Sequence, residues 1–294
     1  MSRAAVFLCL LVIAIWGAHV VLIRAGVQEM EPLTLLALRF VLTGLVFLPF
    51  LRWPGRQQAW IMCQVGLLMG LLHQGFLYAG LNYLDAGTMS ILLQAQVIIV
   101  TLIGWLFLKE TIGWRTWTGI ALGIAGIVVL FGGPSLGGGW LGFSYGMLSA
   151  LFVALCYVRM KALRDVQPLT FLALMNLFPA IPMLLVSYIV SPDSWQRMGD
   201  YNWVLLGGIL TIQVTVLSAT HVIWQKLLAR YPVSQVSPWT LLMPVFGVFF
   251  AWLLLGEPVT LPMIIGGLLT IAGVGIITLR RIQKGAPVPP EPID

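Results

Sequence analysis

Long apolar runs separated by short polar or Gly/Pro-containing breaks dominate the chain. Each run has roughly the 20 residues that an α-helix needs to cross a hydrocarbon core about 30 Å thick. The pattern predicts ten membrane-spanning helices, at about 4–26, 32–51, 59–80, 86–108, 115–132, 140–160, 168–190, 203–226, 233–255 and 260–280. The predicted fold class is therefore an all-α integral membrane protein.

The composition supports a membrane protein and excludes several other classes. The 294 residues are 60% hydrophobic and 9% charged, whereas soluble domains carry about 25% charged residues. The three cysteines all lie in apolar runs, which is typical of packing residues rather than metal ligands. The net charge of +6 does not indicate a nucleic-acid partner, because Lys and Arg are scattered singly along the chain.

The distribution of Lys and Arg predicts the orientation in the membrane. When the N-terminus is placed in the cytoplasm, thirteen of the 16 Lys and Arg residues fall in cytoplasmic segments. Only Arg24 and Arg197 fall outside, and Arg39 lies within the second span. Positively charged loops favour the cytoplasmic side, so both termini are predicted to be cytoplasmic. The predicted location is the bacterial inner membrane, which the chain crosses several times.

Two sequence phrases occur twice in the chain. Trp105–Gly126 and Trp252–Gly273 share nine identities in 22 positions at an offset of 147 residues. The segments "PLTLLALRF" (32–40) and "PLTFLALMN" (168–176) share six identities in nine positions at an offset of 136. The two matches together indicate that a five-helix unit has been duplicated.

The duplication predicts the organisation of the chain. Residues 1–135 form the first five-helix repeat, 136–281 form the second, and 282–294 form a disordered cytoplasmic tail. Because five is odd, the second repeat must cross the membrane in the opposite sense to the first. Inverted repeats of this kind are a recurring transporter design, in which the two halves exchange conformations around a central site.

Several of these features resemble the EamA family of the drug/metabolite transporter superfamily. The residues that carry the resemblance are the Trp16-Gly17 pair, Arg39 in the second helix, and the "LFLKE" and "LLLGE" ends of helices 4 and 9. The length, tryptophan content and scarcity of intramembrane charge are most similar to YddG-type amino-acid exporters. That resemblance implies export of aromatic and other neutral amino acids, or similar small metabolites, by alternating access.

Polar side chains at bilayer depth are the candidate substrate ligands, because burying one without a partner costs a few kcal/mol. At the offset of 147, Gln74 corresponds to His221 and Tyr78 to Gln225, so predicted helices 3 and 8 carry polar clusters at matching depth. Aromatic rings, amides and imidazoles suit a neutral solute of moderate size. The predicted substrate-binding residues are Trp16, His73, Gln74, Tyr78, Gln94, Tyr157, Gln213, His221, Trp224 and Trp239.

Other polar and special residues are predicted to shape the helices. Arg39 is expected to make a structural or gating hydrogen bond, because its counterpart in the second repeat is Met175. Pro238 and Pro244 interrupt helical hydrogen bonding and predict kinks that could act in gating. Glycines in helices 5 and 10 predict close helix packing within a monomer, with a homodimer face as the alternative.

The sequence also limits the mechanism. Asp and Glu are absent from the middle of every predicted span, so coupling to protons through a carboxylate is not expected, although His73 or His221 could carry a proton. Glu110 and Glu257 lie at helix ends, where we expect them to close hydrogen-bonded turns.

The chain carries no catalytic motif, no metal-binding motif and no cofactor-binding motif, so neither an enzyme nor a cofactor is expected. Facilitated export of a neutral amino acid across the lipid bilayer is the leading hypothesis. A proton-coupled drug or metabolite exporter and a flippase for lipid-linked substrates are the alternatives.

Overall fold

The computed structural model describes residues 1–107, 109–131, 139–164 and 166–285. These residues contain ten helices that are long and apolar enough to cross a membrane. The helices are α1 (Arg3–Glu29), α2 (Pro32–Phe50), α3 (Arg56–Gly80), α4 (Ala86–Phe107), α5 (Trp114–Phe131), α6 (Gly139–Met160), α7 (Pro168–Val190), α8 (Trp203–Arg230), α9 (Ser237–Leu255) and α10 (Leu261–Gly285). The prediction of an all-α protein with ten spans is confirmed.

The last helix is longer than the sequence predicted. It continues to Gly285, so residues 282–285, which were assigned to a disordered tail, are helical. Neither proline nor glycine occurs between Leu279 and Gly285, so nothing in the sequence stops the helix earlier. The remaining tail, 286–294, and the predicted repeat boundary at 135 and 136 lie outside the described residues.

Large apolar side chains cover the outer faces of the helices. Ile189 on α7 is 76% exposed, Val204 on α8 is 89% exposed and Leu268 on α10 is 65% exposed. Such side chains are stable when the surrounding solvent is lipid hydrocarbon rather than water. The exposure pattern therefore agrees with a bundle embedded in a bilayer.

Helix contacts repeat when the first five helices are exchanged for the last five. Helix α5 packs along α10, and α2 packs along α7. The exchange turns α5 into α10 and α2 into α7, so it leaves each of these two contacts unchanged. Helix α1 packs against α8 and α9, and α6 makes the corresponding contacts with α3 and α4. The two halves are thus related by a pseudo-two-fold axis.

Glycines bring the backbones of α5 and α10 into direct contact. A Cβ atom on Gly119 would lie 2.7 Å from the carbonyl oxygen of Gly273, and one on Gly126 would lie 2.6 Å from the carbonyl oxygen of Gly266. At the offset of 147, Gly119 corresponds to Gly266 and Gly126 to Gly273, so the same contact occurs on both sides of the axis. The glycines that suggested a homodimer face therefore pack within one chain.

Irregular backbone occurs at matching places in the two halves. Helix α3 contains a π-helical segment at Leu67–Gln74, and α8 contains one at Gln213–Leu217. Helix α4 is divided after Leu92, and α9 begins with a 3-10 segment at Ser237–Leu242. When the second half is shifted back by 147 positions, the two π-helical segments overlap, and the 3-10 segment of α9 overlaps the division of α4. Irregular backbone at membrane depth is tolerated where it is buried in protein or lines a cavity, and it is frequent at functional sites.

Pro238 and Pro244, the two predicted kinks, lie where the helix changes type. The predicted helix 233–255 is a short helix, Val233–Val236, followed by a 3-10 segment and then by the α-helix Met243–Leu255. Each proline lies in the first turn of its own segment. Proline removes a backbone donor and fixes φ, which favours such interruptions, and the role of both prolines as gating kinks stays a prediction.

The contact between α5 and α10 can be tested by substituting Gly273 with valine. A Cβ atom at Gly273 would lie 2.5 Å from the carbonyl oxygen of Gly119 and the amide nitrogen of Gly123. We expect Gly273→Val to lower the melting temperature in detergent, because overpacking costs about 1–3 kcal/mol. Gly207→Val is the matched control, because a Cβ atom at Gly207 meets nothing within 4 Å. Equal melting temperatures for the two variants would contradict the contact.

Candidate functional site

An aromatic group joins α1 to α8. The indole N–H of Trp16 donates a hydrogen bond to the hydroxyl of Thr220, with a nitrogen–oxygen distance of 2.9 Å. The ring centre of Trp16 lies 5.1 Å from that of His221 and 5.2 Å from that of Trp224. Thr220, His221 and Trp224 share one face of α8 because they are separated by one, three and four positions. This face provides flat apolar surface beside hydrogen-bonding groups.

The equivalent interface in the other half, between α3 and α6, is also polar. Nδ1 of His73 lies 2.8 Å from the hydroxyl oxygen of Ser149 and 3.0 Å from its carbonyl oxygen. At the offset of 147, His73 corresponds to Thr220, and α6 corresponds to α1. Both halves therefore place a side-chain hydrogen bond at the same point of the repeat.

A second polar group links α2, α3 and α8. Arg39 is buried at 7% exposure, and its Nη1 donates a hydrogen bond to the side-chain oxygen of Gln74. The hydroxyl of Tyr78 donates to the side-chain oxygen of Gln213 at 2.9 Å. Tyr78 and Gln213 are both fully buried, so these bonds lie inside the bundle. We call Arg39, Gln74, Tyr78 and Gln213 the Arg39 cluster.

His19 connects the Arg39 cluster to the aromatic group. It lies on α1 three positions after Trp16, on the same face of the helix. Helix α1 packs against α2, which carries Arg39, and against the parts of α8 that carry Gln213 and His221. The structure therefore collects polar residues of α1, α2, α3 and α8 into one central region.

The remaining predicted site residues are placed in different ways. Gln94 is buried at the division of α4, and Trp239 packs beside Trp224 near the N-terminal end of α1. Tyr157 is 42% exposed near the C-terminal end of α6, and the structure does not join it to the central region. Eight of the ten predicted residues thus lie in or next to the central region or the aromatic group, and the role of Gln94 and Tyr157 stays a prediction.

Three further residues of this region are not among the ten predicted site residues, although their polarity at bilayer depth marks them as candidates too. Thr220 accepts the bond from Trp16, Ser149 contacts His73, and His19 lies about one helical turn from Trp16 on α1. The offset of 147 contained a signal for Thr220, because it aligns Thr220 with His73. For Ser149 the sequence offered only a lone hydroxyl in an apolar run, which is more often a helix-packing residue.

Two open cavities, of about 610 and 500 Å³, lie apart from the central region. Both adjoin Arg159, whose Nε lies 2.5 Å from the side-chain oxygen of Gln64. The residues that line them come from the N-terminal half of α3 and the end of α6, and they are Gln57, Gln58, Trp60, Ile61, Gln64, Leu67, Leu68, Arg159, Ala162 and Arg164.

Glu257 binds the N-terminal end of α4. Its carboxylate accepts hydrogen bonds from the backbone N–H groups of Ala86 and Gly87, at 3.0 and 3.2 Å. Nε of Arg24 lies 3.8 Å from the same carboxylate. Burial raises the pKa of the Glu257 carboxyl, while the two amides and Arg24 oppose that rise. A carboxylate in this position also interacts favourably with the helix dipole.

The repeated phrase encodes the same helix cap in both halves. Lys109 after α4 and Gly256 after α9 both adopt positive φ angles, of 53° and 66°. In each case the next residue, Glu110 or Glu257, donates its backbone N–H to the carbonyl oxygen six positions earlier, at 3.0 and 3.2 Å. A left-handed residue of this kind commonly ends a helix. The expectation that the two glutamates close hydrogen-bonded turns is confirmed.

The two glutamates lie at opposite ends of α4 and differ in exposure. The side chains of Arg24 and Glu257 are 18% and 10% exposed. At the other end, Nζ of Lys161 lies 3.7 Å from Glu110, and the two side chains are 56% and 44% exposed. The ion pair at the end that carries Glu257 is therefore the more buried of the two.

Comparisons with known proteins agree with this architecture. A family model described as "EamA-like transporter family" matches residues 3–132 and 140–279, which is one match for each half. Two proteins named "Probable amino-acid metabolite efflux pump" are similar to the chain. The Salmonella typhimurium protein is 30% identical over 98% of this chain and 99% of its own length, and the Escherichia coli protein is 31% identical over 94% and 95%.

A solved crystal structure of another protein has the same fold. The two structures superpose with a TM-score of 0.62, covering 95% of this chain and 97% of that chain. The sequences are only 16% identical, so the similarity concerns the fold alone.

The binding of Glu257 to α4 can be tested by thermal unfolding in detergent. Glu257→Ala should lower the melting temperature, because it leaves two buried N–H groups without acceptors, at about 1–3 kcal/mol for each. Glu257→Gln keeps one side-chain oxygen and should lose less. Equal losses for the two variants would show that the hydrogen bonds to Ala86 and Gly87 do not stabilise this end of the bundle.

Proposed function

This chain belongs to the EamA-like transporter family, and we propose that it exports neutral amino acids, including aromatic ones, by facilitated alternating access. The family, the ten membrane spans and the transporter relatives identify a multi-pass membrane transporter, not an enzyme. The resemblance to the EamA family that the sequence indicated is thereby confirmed. A location in the bacterial inner membrane agrees with these findings.

The substrate class is supported by the relatives and by the chemistry of the central region. The two relatives described above, which are 30% and 31% identical, carry names that refer to amino-acid metabolite efflux. The ring faces of Trp16, His221 and Trp224 offer flat apolar surface for a substrate side chain. Neighbouring hydroxyl, amide and imidazole groups offer partners for its polar groups. This combination of an aromatic face and polar groups is the observation that carries the proposal.

The mechanism is supported by the pairing of equivalent contacts at the two ends of α4. Glu257 with Arg24 closes one end, and Glu110 with Lys161 contributes to the other. In an inverted repeat, one half can adopt the conformation of the other, which would tighten the Glu110 end and loosen the Glu257 end. The different exposure of the two ion pairs corresponds to one of these two states.

Facilitated transport is favoured over coupling to protons. The centres of the described spans contain histidines but no carboxylate, and carboxylates are the usual proton carriers in membranes. A proton-coupled exporter would have to use His73 or His221. The two hypotheses differ in their response to a pH gradient.

We expect purified protein in proteoliposomes to take up radiolabelled phenylalanine, tryptophan or leucine with saturable kinetics that a pH gradient does not change. His73→Ala removes the contact with Ser149, and His221→Ala removes an aromatic neighbour of Trp16, so both should reduce uptake at least fivefold. Tyr188→Ala should transport normally, because Tyr188 is 65% exposed on α7. Uptake that follows the pH gradient would favour a proton-coupled exporter. No uptake above empty vesicles, together with movement of lipid headgroups, would favour a flippase.

A further inference from the structure

Arg39 is a buried cation, and no carboxylate of the described residues forms an ion pair with it. The ion pairs in the described part of the chain join Arg24 to Glu257, Lys161 to Glu110 and Arg197 to Asp200, and none of them includes Arg39. Nη1 of Arg39 donates a hydrogen bond to the side-chain oxygen of Gln74, which belongs to a neutral amide. Within the described residues, the charge of Arg39 therefore meets the side-chain dipole of Gln74 and the ring of Phe40, whose centre lies 5.7 Å from Cζ, and no anion.

A guanidinium in this position is costly. Removing an ion from water costs several kcal/mol, and a neutral amide offsets less of that cost than an anion does. Ionisable groups inside membrane proteins accordingly mark substrate or ion sites. The Arg39 guanidinium has the planar, forked arrangement of N–H groups that binds a carboxylate through two parallel hydrogen bonds.

Three buried nitrogen atoms around this charge have no hydrogen-bond partner within the described residues. They are Nε of Arg39, Nε2 of Gln213 and Nε2 of His19. The side-chain oxygen of Gln213 already accepts the bond from Tyr78, which fixes its amide NH₂ as the group without an acceptor. The Arg39 and Gln213 nitrogens are donors, and Nε2 of His19 is a donor in one tautomer.

These nitrogens belong to one region. Gln74, which accepts from Arg39, and Tyr78, which donates to Gln213, lie one turn apart on α3, so they link the two donors. His19 lies on α1, which packs against α2 and against the π-helical segment of α8 that carries Gln213. The donors thus come from α1, α2 and α8, and what they lack is an acceptor.

We propose that Arg39 and Gln213, with His19 beside them, bind the carboxylate group of the substrate. This assignment rests on the proposed function, because it names how an amino acid would be recognised. Trp16 lies one helical turn from His19, so a substrate held here by its carboxylate extends its side chain toward Trp16 and His221. Arg39 is then a substrate-binding residue, and not only the structural or gating residue that the sequence suggested.

The assignment makes the carboxylate a requirement for recognition. A neutral amino acid should be transported, whereas its amide or the corresponding amine should compete poorly, because neither carries an anionic oxygen for Arg39. The test is competition in proteoliposomes between a radiolabelled amino acid, phenylalanine or leucine, and its own unlabelled amide. Wild-type protein should bind the acid at least tenfold more tightly than the amide.

Arg39→Gln should weaken competition by the acid at least tenfold and remove the difference between acid and amide. Gln213→Leu should reduce the same difference. Arg159→Gln is the matched control, because Arg159 also contacts a glutamine side chain but lies apart from the central region. It should keep the wild-type preference. If Arg39→Gln does not fold, Arg39→Lys carries the test, because it keeps the charge and loses the fork, and it should reduce the preference.

Two results would overturn the assignment, and they can be told apart. If wild-type protein transports an amino acid and folded Arg39→Gln, or folded Arg39→Lys, keeps both the affinity and the preference for the acid, Arg39 is structural and the proposed function stands. If wild-type protein transports no amino acid, the proposed function fails and the carboxylate site fails with it.

Discussion

The backbone contact between α5 and α10 is the constraint on which the two-fold arrangement depends. Lipid supplies no hydrophobic force between helices, so their association relies on close packing and hydrogen bonds. Gly119 and Gly126 on one helix, with Gly266 and Gly273 on the other, remove the side chains that would keep the backbones apart. Because these residues correspond under the repeat, the contact is the same from either half and holds the two halves in opposite orientations.

The symmetric framework and the asymmetric residues have different functions in this account. Features shared by both halves include the π-helical segments, the interrupted α4 and α9, and the left-handed caps before Glu110 and Glu257. They provide two equivalent conformations that can be exchanged. Arg39 and Met175 occupy equivalent positions but differ in charge. His221 and Gln74 also occupy equivalent positions, and one carries an imidazole whereas the other carries an amide. A substrate is not symmetric, so its site has to come from positions where the halves differ.

Much of the fold could be predicted from the sequence because hydropathy and helix length are coupled in a membrane. All ten spans follow from apolar runs of sufficient length, and the repeated phrase at Trp105 and Trp252 identified the duplication. What the sequence did not predict is irregular backbone within the spans. The chain changes to 3-10 geometry at Ser237–Leu242, and no periodicity in apolar residues reveals that change.

The site was predictable in its members but not in its connections. Polarity at bilayer depth selected His73, Gln74, Tyr78 and Gln213, yet it could not show that Tyr78 binds Gln213 across 135 positions. Nor could it show that Glu257 caps α4, which begins 171 positions earlier in the chain. Such contacts depend on how helices from different repeats are packed, and the residue types alone do not determine that packing.

The central claim is that the two ends of the bundle open alternately, and distances between spin labels test it most directly. One pair of labels, at Tyr83 and Val259, reports on the Glu257 end, and a second pair, at Trp60 and Gln235, reports on the Glu110 end, all four being exposed positions. With the three cysteines replaced, electron–electron double resonance would be recorded in lipid with and without a transported amino acid. We expect one distance to lengthen in the same population in which the other shortens. Distances that stay constant, or that lengthen together, would contradict it.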